Sequence, residues 1–203
     1  MDYPKKNNTL ARIIKKAQFA DPSACIENIS YLPQRNLDKA QIARFAECVY
    51  IHEHHNILLM GATGCGKMYL ACALGMAAVR KSYQVRYVRL PELLTDLAIA
   101  RTTGTYSKVI EQYKNPALLI LDEWLLYRLE ESQARDLLEI AEGRYKKGSI
   151  IFCSQFGVKG WRDKIGSQIV ADAICDRIVH DSYRVVIECR ESMRKLFGID
   201  KES

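Results

Sequence analysis

Apolar and polar positions along this chain follow two periods. Between residues 9 and 19 (TLARIIKKAQF), Leu10, Ile13, Ile14 and Ala17 recur at helical spacing, with the basic residues on the opposite face. Asp21-Pro22-Ser23 ends that pattern. Residues 38–54 predict a second amphipathic helix, capped by Asp38, with Ile42, Phe45, Ala46 and Val49 on its buried face. From residue 56 onward, short, mainly apolar runs alternate with longer helical segments. The runs 56–60 (NILLM), 84–88, 117–121 (ALLIL), 149–153 (SIIFC) and 184–188 (RVVIE) predict strands. Segments 67–80, 91–101, 106–113, 131–146 and 167–180 predict helices. A strand that is apolar at every position is buried on both faces. The pattern therefore predicts an α/β domain with a parallel sheet covered by helices on both sides.

The length of 203 residues suits one such domain with a small appendage, divided as a basic helix and linker (1–37) and the α/β domain proper (38–203). With 48% hydrophobic and 27% charged residues, a mainly disordered or collagen-like chain is excluded. No run approaches the roughly eighteen apolar residues of a membrane helix. The opening Met1-Asp2-Tyr3-Pro4-Lys5-Lys6 has no apolar core of a secretory signal. Both observations predict a cytoplasmic protein without a membrane partner. The seven cysteines are odd in number and contain no Cys-x-x-Cys pair, so they read as reduced, mostly buried thiols.

The strongest chemical signal is Gly61-Ala62-Thr63-Gly64-Cys65-Gly66-Lys67, set between an apolar run and an Ala/Leu-rich helical segment. This is the GxxxxGK spacing of a phosphate loop. Its glycines let successive backbone N–H groups turn inward around a phosphate chain, and the following helix adds the positive end of its dipole. Lys67 supplies a point charge for the outer phosphates. The next position ordinarily carries a Ser or Thr whose hydroxyl ligates Mg²⁺; here it is Met68. A thioether is a poor ligand for a hard cation. Tyr69 points elsewhere around the helix and is not expected to substitute. Phosphate binding is expected to survive Met68, and hydrolysis to be weak.

The run 117–121 ends in Asp122-Glu123. An Asp at such a strand end holds Mg²⁺, and the adjacent Glu can polarise an attacking water as general base. Gln155, after the fourth run, has two readings: an amide that orients that water, or an ordinary polar strand end. Arg177 lies in the last predicted helix and Arg194 after the last predicted strand. Each reads either as a cation serving a nucleotide, Arg177 that of a neighbouring subunit, or as a surface ion pair. His52-Glu53-His54-His55 point in different directions from a helix end and read against a structural metal.

Net charge is +6, and the first twenty residues carry Lys5, Lys6, Arg12, Lys15 and Lys16 against Asp2 alone. Arg86, Arg89, Arg101, Lys108 and Lys114 form a second basic stretch. Contacts to the phosphate backbone of duplex DNA need only such cationic density, and an ordinary solvated face looks the same. No helix-turn-helix, zinc-finger or RNP motif supports base readout.

These residues together resemble a family. ARIIKKAQF, NLDKAQIARFAEC, NILLMGATGCGK, ALLILDEW, SIIFCSQF, ADAICDRIVH and CRESMRK are similar to segments of the IstB transposition helper ATPases, AAA+ proteins close to the helicase loader DnaC. The resemblance runs from about residue 10 to 195. It implies a five-stranded sheet in the order 5-1-4-3-2, a Walker A loop at Gly61–Lys67 and a Walker B pair at Asp122 and Glu123. It further implies Gln155 as sensor 1, Arg177 as the arginine finger that completes a neighbour's site in a homo-oligomer, and Arg194 as sensor 2. The implied cofactors are ATP and Mg²⁺, and the implied partners are duplex DNA and a transposase. Two features depart from the family pattern. Met68 replaces the usual Thr, and most of the helical region that precedes ARIIKKAQF in full-length members is missing, which reads as a shortened gene copy. Three alternatives remain: a DnaC-like loader of a replicative helicase, a nucleotide-dependent interaction protein without turnover, and a small-molecule P-loop kinase.

Overall fold

The computed structural model describes residues 3–189 together with residues 192, 193 and 195. Five strands form one sheet in the order β2-β3-β4-β1-β5: β1 (Asn56–Met60), β2 (Val85–Arg89), β3 (Leu118–Trp124), β4 (Ser149–Ser154) and β5 (Ser182–Val186). Every pairing is parallel, so all five carboxyl ends lie along one edge. This is the 5-1-4-3-2 order.

The helices are α1 (Tyr3–Ala17), α2 (Lys39–Ala46), α3 (Val49–His52), α4 (Lys67–Arg80), α5 (Leu90–Thr102), α6 (Tyr106–Lys114), α7 (Glu131–Arg144), α8 (Val158–Ile165) and α9 (Gln168–Val179). Alternate strand residues feed two cores. Ile57 and Leu59 pack with α4 and the α1–α2 region, while Leu58 packs with α5, α7 and α9 on the other face. Leu10, Ile13, Ile14 and Phe19 of the lead-in join the first core, and α1 rests on α4 and β2. On the second face Trp124, Phe152 and Trp161 form an aromatic cluster with centroids 4.6–5.8 Å apart, Trp124 meeting the other two edge-to-face.

Three departures from the predicted pattern have local causes. The single helix expected over 38–54 is two, because Cys48 adopts a left-handed conformation (φ 62°) with its N–H on the Phe45 carbonyl. That turn sets Phe45 against Tyr50, an edge contact that spacing alone does not announce. Asp38 does cap α2, accepting from the Ala40 N–H at 2.8 Å. Helix α8 was not anticipated; it is anchored by fully buried Trp161, whose indole N–H donates to Ser154 Oγ and the Phe156 carbonyl, each at 3.1 Å. The third strand runs on to Trp124, through the two carboxylates, with an irregularity between Leu121 and Trp124 and Glu123 at φ 55°.

Candidate functional site

β1 ends at Met60, and the next six residues turn back over the carboxyl edge before α4 begins at Lys67. Gly64 and Gly66 occupy the left-handed region at φ 82° and 84°, which a side chain would strain. Space excludes side chains there too. A Cβ on Gly66 would stand 2.8 Å from Arg35 Nη2, and one on Gly64 would collide with Ser192 Oγ. Gly66 is the N-cap residue of α4 and accepts the first helical bond from the Leu70 N–H, so the amides before Leu70 are free of helical acceptors. These amides and the helix dipole make an anion cradle.

Lys67 is 9% exposed, and its ammonium donates to the carbonyls of Gly61 and Ala62 at 2.6 and 2.7 Å. Burial pushes its pKa down, opposed by the nearby Cys153 and Asp122 groups. It lies on a cleft of about 450 Å³ whose lining includes Thr63, Met68, Asp122, Glu123 and Gln155. The fold thus brings together Lys67, both carboxylates and the strand-end amide, residues 88 positions apart from first to last (155 − 67).

Asp122 Oδ2 accepts from the Tyr87 hydroxyl at 2.8 Å, and Oδ1 from the Glu123 N–H at 2.8 Å. Burial first, then the Asp122 charge, raises the Tyr87 pKa far above its usual value, so the phenol remains a donor. Glu123 receives Arg89 Nη2 on both oxygens at 2.9 Å. Neither Tyr87 nor Arg89 was assigned to the site from sequence. The signal was the register of β2 against β3, which sets Arg89 beside Asp122 and is invisible without the pairing.

Met68 lies where the metal-ligating hydroxyl is expected. It packs against the core, with the Cys72 thiol 3.8 Å from its sulfur. The Tyr69 hydroxyl is engaged by the Cys25 N–H at 3.4 Å. For a magnesium ion the cleft offers the carboxylates of Asp122 and Glu123; each Asp122 oxygen keeps an acceptor site beyond its present bond, while both Glu123 oxygens are engaged by Arg89. That donor set fits an ion carried mainly by nucleotide phosphates and water rather than caged by protein.

Cys65 is bonded to Cys189, which corrects the expectation of uniformly reduced thiols. The fold sets the two Cα atoms 5.5 Å apart across 124 residues, a proximity that spacing could not reveal. Cys25, Cys48, Cys72, Cys153 and Cys175 are free, all but Cys25 buried. The segment after β5 also clasps the loop through the Met193 N–H on the Gly64 carbonyl at 2.8 Å. Asn28, Ser30 and Arg35, from the segment between α1 and α2, line the same cleft. The hydrophobic pattern presents that segment only as a linker.

Arg177 is not brought to its own chain's phosphate loop. It lies near the end of α9, beside Asn56 and Gly148 at the amino edge of the sheet, and pairs with Glu142 at 3.0 Å. Arg194 lies outside the described residues. Of the basic stretch 86–114, Arg89 is committed to Glu123 and Glu92, Arg101 to Asp136, and Lys114 to Glu111 and Glu139. Arg86 stands over the Tyr113 ring. Lys108 is exposed, as are Arg12, Lys15 and Lys16 along α1, which leaves α1 the freer cationic face. His55 sits 3.4 Å from Glu53 and edge-on to Tyr183. Among the described residues no helix is long and apolar enough to cross a membrane.

Residues 4–197 match the model of the family described as IstB-like ATP binding protein. The insertion sequence ATP-binding protein y4pL of Sinorhizobium fredii is 39% identical over 193 residues, 95% of this chain and 77% of that protein. The ATP-binding protein of insertion sequence IS1162 from Pseudomonas fluorescens is 40% identical over 151 residues, 74% of this chain and 65% of that protein. Among solved structures, AMPPCP-bound DnaA from Aquifex aeolicus matches with a TM-score of 0.71 at 22% identity, over 87% of this chain and 54% of that one. The DnaI structure matches with a TM-score of 0.67 at 21% identity, over 88% of this chain and 90% of that one. The chain thus spans about half the length of that DnaA structure, and both likenesses are of fold.

Proposed function

The chain belongs to the family of IstB-like ATP binding proteins, and on that premise we propose that it is an ATP-dependent helper of DNA transposition. One observation carries the reading. At the start of α4 a buried lysine sits on its own loop's carbonyls, in a cleft shared with Asp122, Glu123 and Gln155. An incoming triphosphate would take Lys67 from Gly61 and Ala62, and the loop amides that have no backbone acceptor would turn to its phosphates. Magnesium, when bound, neutralises phosphate charge; Asp122 is the side chain to hold it, through water. Glu123, once free of Arg89, would polarise water, and Gln155 would orient it. The bidentate Arg89 contact holds Glu123 out of use until it is released.

Arg177, at the edge of the sheet away from its own loop, would complete the site of a second copy in an oligomer. Duplex DNA would be held through its phosphates, chiefly by the cations of α1, and the protein partner would be a transposase. A replicative helicase is the alternative partner; a transposase gene beside this one would decide between them.

The test is titration with fluorescent ADP and ATP in Mg²⁺. Wild type should bind, and Lys67→Ala should lose on the order of 100-fold in affinity, the worth of a charge-assisted contact to phosphate. Equal binding by the two proteins would remove the loop as the site. A second reading, nucleotide binding without turnover, is favoured by Met68. Phosphate release by wild type and Met68→Thr separates the two: a faster variant identifies the missing hydroxyl as the limiting defect, and equal rates reject that cause.

A further inference from the structure

The short 3-10 turn Pro33–Arg35 belongs to none of the nucleotide motifs, yet it ends in the most buried cation of the cleft. Arg35 is 4% exposed. Its guanidinium lines the cleft beside the phosphate loop, with Nη2 donating to the Cys65 carbonyl at 2.7 Å and Nη1 to the Ser30 carbonyl at 2.5 Å. Its Nε is buried without a hydrogen-bond partner. Among the described residues no carboxylate forms an ion pair with it. A buried guanidinium satisfied only by neutral carbonyls carries a desolvation cost that such bonds offset in part, and burial lowers its pKa accordingly.

The position of that charge has a specific consequence. The Cys65 carbonyl belongs to the same peptide group as the Gly66 N–H. In a trans peptide the two point in opposite directions, and no peptide bond among the described residues is cis. Arg35 fixes the Cys65 carbonyl on its own side, so the Gly66 N–H points away from the guanidinium. The Met193 N–H, from the other end of the chain, fixes the preceding carbonyl, that of Gly64. A charged donor on the carbonyl also polarises the peptide and strengthens its N–H as a donor. Gly66, which no side chain could replace without meeting Arg35, is the residue this arrangement serves.

We propose that Arg35 is a positioning residue of the nucleotide site: it presets the Gly66 amide toward phosphate and holds behind it a buried positive charge that the nucleotide's phosphates compensate. The proposal rests on the reading of the cleft as an ATP site.

The experiment titrates fluorescent ADP, with Mg²⁺, into four full-length proteins: wild type, Lys67→Ala, Arg35→Gln and Arg35→Lys. Binding by wild type and its loss in Lys67→Ala test the site itself; if wild type does not bind, the ATP reading fails, and this proposal with it. Given that binding, Arg35→Gln keeps a donor for the Cys65 carbonyl but removes the charge. It should saturate at the wild-type stoichiometry with affinity weaker by on the order of 10- to 100-fold. Arg35→Lys restores the charge without the fork that spans two carbonyls, and should fall several-fold below wild type and above Gln. A purely structural Arg35 would lower the melting temperature and the stoichiometry while leaving the affinity of the folded fraction unchanged. Wild-type affinity in Arg35→Gln, or in Arg35→Lys where the Gln variant is too unstable to titrate, overturns the proposal.

Discussion

The two edges of the sheet each bury an arginine, and they use it differently. At the amino edge Arg144, 1% exposed, donates to the carbonyls of Tyr113, Lys114, Ala117 and Ser149 at 2.7–3.4 Å. It ties the end of α6 and the starts of β3 and β4 into one block. At the carboxyl edge Arg35 meets two carbonyls, one of them in a loop built to receive an anion. Neighbouring charges repeat the contrast. Arg177 at the amino edge is committed to Glu142, while Lys67 at the carboxyl edge has only its own loop's carbonyls to hold. Both arginines rest on neutral carbonyls and keep a buried Nε without a partner, so place is what separates them: Arg144 joins the ends of three elements, whereas Arg35 and Lys67 stand beside the N-terminus of α4, where an anion would be received.

Four measurements would break or sharpen that contrast. The largest effect belongs to Arg144→Met. It strips four carbonyls of their donor and should cost about 3–5 kcal/mol, read as a lower urea midpoint that added nucleotide does not preferentially restore. A change under about 1 kcal/mol would end the architectural role. Next is reduction of the Cys65–Cys189 bond, which closes a loop across 124 residues and should cost about 2–4 kcal/mol. Denatured, unreduced protein should react at the five free cysteines, and at all seven only after reduction; seven reactive thiols beforehand would refute the bond. Cys189→Ser should abolish the response of the midpoint to reductant.

Tyr87→Phe sharpens the contrast at the carboxyl edge. Losing the donor to Asp122 should cost about 0.5–1.5 kcal/mol in stability. Because the freed Asp122 oxygen becomes available to a cation, Mg²⁺ should raise the melting temperature of the variant more than that of wild type. The smallest effect is expected for Arg177→Ala. Its pair with Glu142 is 31% and 49% exposed, so stability should change by less than about 1 kcal/mol, by thermal unfolding of the monomer. A larger loss would make Arg177 architecture like Arg144 and weaken its proposed role toward a second copy.

The inner strands were legible because burial on both faces writes itself as an unbroken apolar run, as in residues 118–121 and 150–153, whereas the edge strand β5 is exposed at three of its five positions. Helix α4 was legible to both ends, since the glycines and Lys67 mark its start and the Ala-rich stretch fits no strand. Helix α8 was missed because only two of its eight residues, Trp161 and Ile165, are buried, too few for a periodic pattern. Cys48 broke a predicted helix through its own backbone conformation, which hydrophobic spacing does not encode. Within the site, Lys67, Asp122, Glu123 and Gln155 were legible as motifs, each tied to the end of a strand or the start of a helix.

The sequence by itself determined the parallel sheet and the phosphate loop, because these depend on local spacing and on glycine and lysine chemistry within a few residues; the family followed from the resemblance of segments along nearly the whole chain. Only the tertiary structure decided which groups attend that loop. Arg35 and the Cys189–Met193 segment reach it from opposite ends of the chain, Tyr87 and Arg89 reach the carboxylates through strand register, and Arg177 is carried to the far edge by the direction of α9. Such contacts link residues tens of positions apart, and they are set by how elements pack rather than by any pattern along the chain.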